Sequence, residues 1–338
     1  MTLTLPSVLS RARAVVDPAL RDAVGRLQPC TARIVGYHLG WLDADGRTAV
    51  ADGGKAFRAA LALAGARTGG SAAVDAVPGA VAVELVHNFS LIHDDVMDAD
   101  LQRRHRPTVW AVFGVGPAVL AGDALLALAQ QVLVEAGSPD RGWALGLLAE
   151  ATGSLIAGQG QDLAFERRGD VEVAECVAMC AAKTGALLGA SAAVGAALCG
   201  ASEPVVGRLV AFGRHLGVAF QAVDDLLGIW GRPEVTGKPC FNDLRRHKSS
   251  LPVVAALCSG GAAAARLGVL MRRPEVLGED ELIMAAGLVE DAGGRVWARA
   301  EAVRQLGLAL GQLDGPELDP VARGELADLA RFVTDREL

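Results

Sequence analysis

The chain has 338 residues, of which 51% are hydrophobic, 21% are charged and only 4% are aromatic. This composition supplies enough apolar side chains for a large core and argues against an intrinsically disordered chain. The formal net charge of −7 argues against a general nucleic-acid-binding protein, which normally carries a basic excess.

No targeting or redox feature stands out in the sequence. The six cysteines have no CxxC spacing and no nearby histidine that would complete a zinc site, which is typical of reduced core cysteines in a cytoplasmic protein. Residues 1–13 lack the basic and apolar regions of a secretory signal. The longest apolar run, residues 184–202, is rich in glycine and alanine, so we expect a buried helix and no membrane span.

Apolar residues recur at three- and four-residue spacing along most of the chain, as they do in amphipathic helices. No segment shows the alternation of a half-buried strand, and the turn signals between the helical segments are short. The sequence therefore predicts one all-α domain over residues 1–338, an antiparallel helical bundle around a central apolar cavity. The clearest helical segments are residues 80–93, 117–136, 142–157 and 205–230.

The first candidate anion site in chain order is the segment GGKAFR. The backbone amides at Gly54 could hold an anion together with the cations of Lys55 and Arg58, which are three residues apart on a helix. The segment is not a Walker P-loop because the GxxxxGK[ST] spacing is absent. GGK alone is a weak signal.

The segment LIHDDVMD carries the first pair of aspartates. Asp94 and Asp98 are four residues apart, which places both carboxylates on one face of a helix. Close carboxylates repel each other unless a cation neutralises them, and hard oxygen ligands suit Mg²⁺. Asp95 points about 100° away and is a weaker candidate ligand. A solvated acidic helix end is the alternative, although the long apolar stretch before the motif favours a cavity.

Basic residues follow these aspartates. Arg103, Arg104 and Arg106 form an RRxR cluster, and arginine matches the geometry of phosphate oxygens. A diphosphate bridged by metal to the aspartates would explain why cations and carboxylates lie together. A surface salt-bridge network is the alternative.

Three lysines further along the chain are also candidates. Lys183, followed by Thr184, lies inside an apolar stretch, where an unpaired lysine is costly. A phosphate or a buried acidic partner would explain it. Lys238 and Lys248 lie in polar loops, where each alone is typical of a solvated side chain.

The second aspartate pair, in FQAVDDLLG, is less complete than the first. Gly228 occupies the position one turn after Asp224, so the second motif offers one strong ligand, Asp224, and a supporting carboxylate, Asp225. Facing helices of a bundle would bring the two motifs together at a metal site.

Taken in order, these motifs resemble one family. The set GGKxxR, HDDxxD with RRxRPT, GQxxDLxxE, KT, FQxxDD, GK and DLxxxKSS-L-P is similar to that of the trans-prenyl diphosphate synthases, and it covers about residues 50 to 255. The LxGIWG that follows the second pair resembles the actinobacterial, geranylgeranyl diphosphate synthase-like branch. The resemblance implies an isoprenoid synthase fold and a homodimer.

The resemblance also implies a role for each motif residue. Three Mg²⁺ ions and two substrates, isopentenyl diphosphate and an allylic diphosphate, are expected. The implied metal ligands are Asp94, Asp98 and Asp224. The implied contacts with the allylic diphosphate are Arg103, Lys183 and Lys248, assisted by Thr184, Gln221 and Lys238. The implied isopentenyl diphosphate site contains Gly54, Lys55, Arg58, His87 and Arg104, although His87 alone could equally be a core histidine.

Some positions depart from the family pattern or bear on product length. Gly228 replaces a third aspartate, and Arg232 and Phe241 stand where the branch more often has Asp and Gly.

Phe89, five residues before Asp94, lies about 7.5 Å away along the helix axis, and the neighbouring Ser90 is small. This pattern resembles synthases that make C20 geranylgeranyl diphosphate, with farnesyl or C25 products as alternatives.

Two other functions remain open from the sequence. A class I terpene cyclase would share the fold and the first aspartate motif, but it normally carries an Asn/Ser/Glu triad that is absent here, and it needs no isopentenyl diphosphate site. A non-catalytic regulatory subunit of a heteromeric synthase would be expected to lose aspartates or lysines, and all the decisive ones are present.

Overall fold

A computed structural model describes residues 7–49, 56–69, 73–231, 240–273 and 275–334. These residues fold almost entirely into α-helices, which confirms the predicted all-α class. They cluster into two compact units, one formed by Met1–Glu150, Ala190–Val210 and Gly315–Leu329, and the other by Ala151–Gly189, Ala211–Asp314 and Ala330–Leu338. The single domain over residues 1–338 stays a prediction.

In chain order the helices are α1 (Ser7–Gly25), α2 (Pro29–His38), α3 (Phe57–Ala66), α4 (Val77–Met97), α5 (Val109–Phe113), α6 (Val115–Val134), α7 (Arg141–Phe165), α8 (Val173–Cys180), α9 (Ala186–Leu198), α10 (Glu203–Trp230), α11 (Asn242–Arg245), α12 (Leu251–Cys258), α13 (Gly261–Met271), α14 (Glu279–Asp291), α15 (Gly294–Gln312) and α16 (Pro320–Thr334). The four segments predicted from the sequence correspond to α4, α6, α7 and α10, and α7 continues eight residues beyond its predicted end. A 3₁₀ turn, Ala73–Ala76, precedes α4, and a π-helical turn, Ala181–Gly185, joins α8 to α9.

The described residues contain one small sheet that sequence periodicity did not predict. Strands β1 (Gln102–Arg103) and β2 (Arg106–Pro107) pair antiparallel around the two-residue turn Arg104-His105. Two-residue strands are too short to produce a detectable alternation of apolar and polar residues.

Helix α4 forms the centre of the first unit and packs extensively against α6. Nearly all side chains from Gly79 to Phe89 are buried, because this part of the helix is apolar on every face. In the second unit α12 packs against α15, and its side chains from Leu251 to Ala256 are buried. The carboxyl end of α4 and the loop before α12 both carry motif residues, so the best-packed helices support them.

Within the part of the chain that the structure describes, two helical stretches are long and apolar enough to cross a membrane by length and composition. The first, Val173–Leu198, contains most of the apolar run seen in the sequence and is 67% buried within the protein, which confirms the predicted buried helix. The second, Val115–Val134, is only 39% buried, so α6 exposes an apolar face.

Candidate active site

Asp94 and Asp98 lie at the carboxyl end of α4, where the helix stops because Ala99 adopts a left-handed backbone with φ of 53°. The amide of Asp98 donates to the carbonyl of Asp94 at 2.8 Å, so the two half-buried side chains are one helical turn apart. Both carboxylates lie at the negative end of the helix dipole, where a cation would stabilise them. Two such carboxylates fit Mg²⁺, which completes its coordination with water and substrate phosphate.

Asp95 lies between these residues and has a different role. Its side chain is only 1% exposed, and its Oδ1 accepts a hydrogen bond from Nε of Arg103 at 2.8 Å and forms an ion pair with Nη2 at the same distance. Burial raises the pKa of the Asp95 carboxyl, while the bonded guanidinium of Arg103 opposes this rise. Asp95 therefore anchors Arg103 beside the Asp94–Asp98 pair, as its predicted orientation away from the pair allows.

The arginine cluster is carried on the β1–β2 hairpin. Arg104 and His105, at the centre of the turn, have φ of 51° and 60°, a left-handed geometry that type I′ turns require and that normally selects Asn or Gly. Such a conformation costs about 1–2 kcal/mol per residue and persists only where surrounding contacts enforce it.

Arg106 supplies those surrounding contacts. Its guanidinium donates to the carbonyl oxygens of Tyr37 (3.0 Å) and Leu42 (2.9 Å) and lies over the Tyr37 ring at 4.3 Å, while the Tyr37 hydroxyl donates to the carbonyl of Pro107. Arg106 therefore attaches the hairpin to the end of α2. The sequence could not separate this arginine from its two neighbours.

Arg58 lies near the start of α3, close to the carboxylate of Glu84 and to the guanidinium of Arg104. Glu84 on α4 accepts a hydrogen bond from the amide of Ala59 at 3.0 Å and so satisfies a donor that the first turn of a helix leaves unpaired. Burial lowers the pKa of Arg58 to about 10, although the Glu84 carboxylate opposes this effect. Nε of Arg58 is buried without a hydrogen-bond partner among the described residues, which fits a guanidinium that receives an anionic ligand.

The next residues of α4 extend this cluster. His87 is half-buried, and burial followed by the charges of Arg58, Arg104 and Arg103 holds its pKa well below the usual range. His87 is therefore neutral near pH 7. Phe89 is buried and meets the ring of His93 edge-on at 4.9 Å, and the buried Ser90 donates to the carbonyl of His87.

In the second unit, Lys183 lies in the π-helical turn, a feature that often marks functional positions. Its Nζ donates to Oδ2 of Asp162 at 2.5 Å, so the buried acidic partner that the sequence left open exists. Helix α7 approaches this turn through Gly158, where a Cβ atom would lie 2.4 Å from the amide nitrogen of Lys183. Asp162 and Gly158 both belong to the GQxxDL motif, whose purpose the sequence alone did not reveal.

A hydrogen-bonded chain connects the other motif residues of this unit. The hydroxyl of Thr184 donates to Oε1 of Gln221 at 2.9 Å, and the Gln221 amide donates to Oδ1 of Asp225 at 2.8 Å. Asp225 Oδ2 accepts from the amide of Leu251 at 2.8 Å, and Lys248 Nζ lies 3.8 Å from Oδ1. Burial raises the pKa of Asp225 to about 6, and the charge of Lys248 opposes this rise. Asp225 is therefore a buried junction that holds Gln221 and Lys248.

Asp224, unlike Asp225, is exposed. The place of the absent third aspartate is not empty. A Cβ atom at Gly228 would lie 2.3 Å from Oδ2 of Asp243, so the carboxylate of Asp243 occupies the space beside that position. Asp243 also contributes to the raised pKa of Lys248, together with Asp225 and against the lowering effect of burial.

Phe241 adopts a left-handed backbone with φ of 60°, which explains why glycine is the more usual residue here. Its ring packs against an apolar cluster that includes Ile229 and Leu244. This packing gives Phe241 a structural role. Gly54, Lys55, Arg232 and Lys238 lie outside the described residues.

Four polar residues of these sites were not predicted to act there. Asp162 lay inside a recognised motif, and Glu84 shares a helix face with His87, so both left a signal in the sequence. Asp243 lies in the DLxxxKSS motif but had no assigned role. His38, which bonds to Asn88 at 3.0 Å, lies outside every motif, and only the structure reveals it.

Comparison with known proteins agrees with the family resemblance seen in the sequence. Residues 40–279 match the family model described as Polyprenyl synthetase. The chain is 49% identical over 337 residues to a (2E,6E)-farnesyl diphosphate synthase of Mycobacterium tuberculosis, with 99% of this chain and 94% of that protein covered. It is 44% identical over 334 residues to a geranylgeranyl diphosphate synthase of the same organism, with 98% and 94% covered.

Solved structures similar to this chain come from the same kind of enzyme as these relatives. A polyprenyl synthetase from Streptomyces coelicolor superposes with a TM-score of 0.93 at 50% identity, and the match covers 98% of this chain and 99% of that one. A polyprenyl synthase from Caulobacter crescentus, complexed with calcium and isoprenyl diphosphate, superposes with a TM-score of 0.85 at 27% identity, with 99% and 98% covered.

Proposed function

The chain belongs to the polyprenyl synthetase family and is a trans-prenyl diphosphate synthase, and we propose that its product is the C20 compound geranylgeranyl diphosphate. The observation that carries the assignment of its site is the first aspartate cluster, where Asp95 anchors Arg103 beside the Asp94–Asp98 pair. A carboxylate pair suited to divalent metal and an arginine fixed next to it are what a metal-bound diphosphate requires.

The allylic diphosphate would be held by residues of both aspartate motifs. In this proposal Asp94, Asp98 and Asp224 hold three Mg²⁺ ions, which would neutralise the diphosphate as it departs. Arg103, Lys183 and Lys248 would bind its oxygens, with Thr184, Gln221 and Lys238 in support. Arg103, Lys183 and Lys248 each have an acidic neighbour, which fixes the cation in place before substrate arrives.

Isopentenyl diphosphate would bind to a second set of cations. Gly54, Lys55, Arg58, His87 and Arg104 form this set in the proposal. Support comes from the unpartnered Nε of Arg58 and from the charges of Arg58 and Arg104, both of which lower the pKa of His87. A neutral His87 would donate one hydrogen bond to the anion without competing for metal.

The reaction would then proceed by ionisation and condensation. The allylic C–O bond breaks, and the diphosphate departs with the electron pair toward Arg103 and Lys183. The double bond of isopentenyl diphosphate attacks the allylic carbon to form the new C–C bond. The resulting cation loses a proton to the departing diphosphate, so none of the chain's side chains needs to act as the base. Apolar side chains around the growing chain would keep water from quenching the cation.

The most specific part of the proposal is the length of the product chain. Phe89 is buried on α4 five residues before Asp94, and its ring is fixed by the edge-on contact with His93. We propose that this ring ends the space for the growing chain at C20, with the small Ser90 leaving room above it. The similar relatives include both a farnesyl and a geranylgeranyl diphosphate synthase, so product length has to be measured on this chain.

The test is product analysis by chromatography after incubation with Mg²⁺, labelled isopentenyl diphosphate and dimethylallyl, geranyl or farnesyl diphosphate. The expected product is C20, and Phe89→Ala should give longer chains because the block is removed. Phe113→Ala, which removes a partly buried ring that packs against Tyr37, is the control and should leave product length unchanged. Accumulation of C15 by the wild type, or an unchanged product from Phe89→Ala, would contradict the C20 proposal.

A further inference from the structure

A pocket in the first unit contains a histidine that belongs to no motif. His38, the last residue of α2, lines it together with Asp95, Arg103 and Arg104. His38 is half-buried, and it is one of the residues that line the pocket. This pocket therefore places an imidazole beside the arginine that is proposed to hold isopentenyl diphosphate.

The hydrogen-bond network fixes which ring nitrogen carries the proton. The Asn88 amide nitrogen donates to the carbonyl of Glu84 at 2.7 Å, which leaves its Oδ1 as the acceptor for His38. His38 Nε2, at 3.0 Å from that oxygen, must be the donor. In a neutral ring Nδ1 then has a lone pair, and it has no hydrogen-bond partner among the described residues.

The charges around the ring keep it neutral. Burial, and then the charges of Arg104 and Arg103, lower the pKa of His38 to about 3, while the bond to Asn88 opposes this and Arg106 adds to it. Besides the arginines, Asp95 and Tyr37 are the titratable groups that line the same pocket, and His87 on α4 is close enough for the charge of His38 to affect its pKa. A neutral imidazole among arginines is an acceptor for a guanidinium rather than a competing cation.

We propose that His38 is a positioning residue of the isopentenyl diphosphate site, where its Nδ1 accepts a hydrogen bond from Arg104 when the diphosphate binds and so turns that guanidinium toward the diphosphate. The proposal rests on the proposed function. Arg104 lines the same pocket as His38 and has a side chain with several rotatable bonds, so an acceptor in that pocket restricts the rotamers that it adopts when the diphosphate binds.

Two substitutions of His38 test the roles of its two ring nitrogens one at a time. The amide of glutamine in His38→Gln reaches the position of Nε2 and keeps the bond to Asn88, but it provides no acceptor at Nδ1. The amide oxygen of asparagine in His38→Asn reaches the position of Nδ1 but loses the contact with Asn88. His215→Gln is the control for the same substitution elsewhere in the protein, because His215 lies in the second unit, where its Nδ1 bonds to the amide oxygen of Gln305 at 2.7 Å.

The measurements are steady-state KM values for isopentenyl diphosphate and for the allylic substrate, kcat, and thermal melting. We expect His38→Gln to raise the KM for isopentenyl diphosphate about tenfold, the usual effect of one hydrogen bond to a charged group. The allylic KM and kcat should stay within about twofold, and His38→Asn should raise the KM by a smaller factor. An unchanged KM in His38→Gln, a larger effect in His38→Asn, or equal rises in both KM values would overturn the proposal.

Calorimetry with inorganic pyrophosphate separates this proposal from the proposed function. His38→Gln should weaken binding of this anion about tenfold relative to the wild type and to His215→Gln. If the wild type binds pyrophosphate in this way but never elongates a chain, the proposed function fails while the role of His38 stands. If His38→Gln binds pyrophosphate as tightly as the wild type, the role of His38 is wrong.

Discussion

At the scale of single residues, Gly228 shows how a departure from a motif can be compensated in space. The common second motif has an aspartate at this position, and the sequence therefore suggested an incomplete metal site. The structure places the Asp243 carboxylate where a side chain at position 228 would lie. The glycine and Asp243 are consequently a matched pair, and a carboxylate lies beside position 228 despite the gap in the motif.

Restoring the third aspartate should therefore harm this protein. In Gly228→Asp the new side chain would collide with Asp243 and add a like charge beside Asp225, so we expect a stability loss of about 1–3 kcal/mol and lower activity. Gly207→Asp on the same helix is the control, because a Cβ atom there meets nothing within 4 Å. Chemical denaturation and elongation rates measure both effects. A Gly228→Asp enzyme that is as stable as the control and more active would show that Asp243 does not fill this place.

The neutral state of His38 predicts how stability depends on pH. The folded-state pKa of about 3 lies below the ordinary value of 6.5, so between these limits the unfolded chain binds a proton that the folded protein does not. Unfolding then takes up a proton, and folding stability falls as the pH drops below 6.5. In denaturant titrations at pH 7.5 and 5.0, the wild type should lose about 1–2 kcal/mol more than His38→Gln. Equal losses would mean that His38 is protonated in the folded protein.

The residues that the sequence identified are those with a local pattern. Asp94 and Asp98 were recognisable because a four-residue spacing on a helix dictates a shared face. The partners of the cations, Glu84 for Arg58 and Asp162 for Lys183, lie 26 and 21 residues away in the chain. Such pairs depend on how helices pack, and neither periodicity nor spacing specifies that packing.

At the scale of secondary structure, two helices of the second unit meet through glycines. Gly213 on α10 faces Leu188 and Gly189 of α9, and a Cβ atom at Gly213 would lie 2.3 Å from the Leu188 carbonyl oxygen. One turn further along, Gly217 faces Gly185 in the same manner, with its Cβ position 2.3 Å from the Gly185 Cα. Backbones can approach this closely only without side chains between them. This contact fixes the π-helical turn that carries Lys183.

Alanine scanning of α10 should reveal this contact. Gly213→Ala should destabilise the protein by about 1–3 kcal/mol, because the methyl group meets backbone atoms that cannot move aside. Gly207→Ala on the open face of the same helix should instead stabilise it by up to about 1 kcal/mol through helix propensity. Thermal or chemical denaturation compares the two variants. If Gly213→Ala is as stable as Gly207→Ala, the close approach of the helices is wrong.

Helices and turns differ in how well the sequence predicted them. The long helices were recognisable because each repeats its apolar pattern over several turns. The β1–β2 hairpin was not, because its strands are two residues long and its turn, Arg104-His105, lacks the usual Asn-Gly signal. Contacts from Arg106 to α2 hold this turn, and such long-range contacts are invisible to local rules.

At the scale of the whole molecule, α6 carries an exposed apolar stripe. Val119, Leu120 and Val134 lie along one side of the helix, and Leu120 is 66% exposed. Homodimers are typical of the family, and we propose that a second copy of the chain covers this stripe. A stripe of this kind on a long helix suits an isologous contact between two copies of α6.

Replacing Leu120 should therefore weaken the dimer. Leu120→Glu would place a charge in the apolar contact and shift the protein toward a monomer in analytical ultracentrifugation, with a dissociation constant at least about tenfold higher. Val276→Glu is the control, since Val276 is similarly exposed but lies outside α6. A Leu120→Glu protein that sediments as the wild-type dimer would show that another surface forms the interface.

The central claim is that the aspartate motifs and the cations around them bind two prenyl diphosphates and join their hydrocarbon chains. One elongation assay tests this claim most directly. Purified protein is incubated with labelled isopentenyl diphosphate and an allylic diphosphate, with Mg²⁺ or with a chelator, beside Asp94→Ala. We predict a prenyl diphosphate longer than the allylic substrate, formed only with Mg²⁺ and reduced at least about 100-fold in Asp94→Ala. Hydrocarbon formed from geranylgeranyl diphosphate alone, as by a cyclase, or no product from any substrate, as for a regulatory subunit, would contradict the claim.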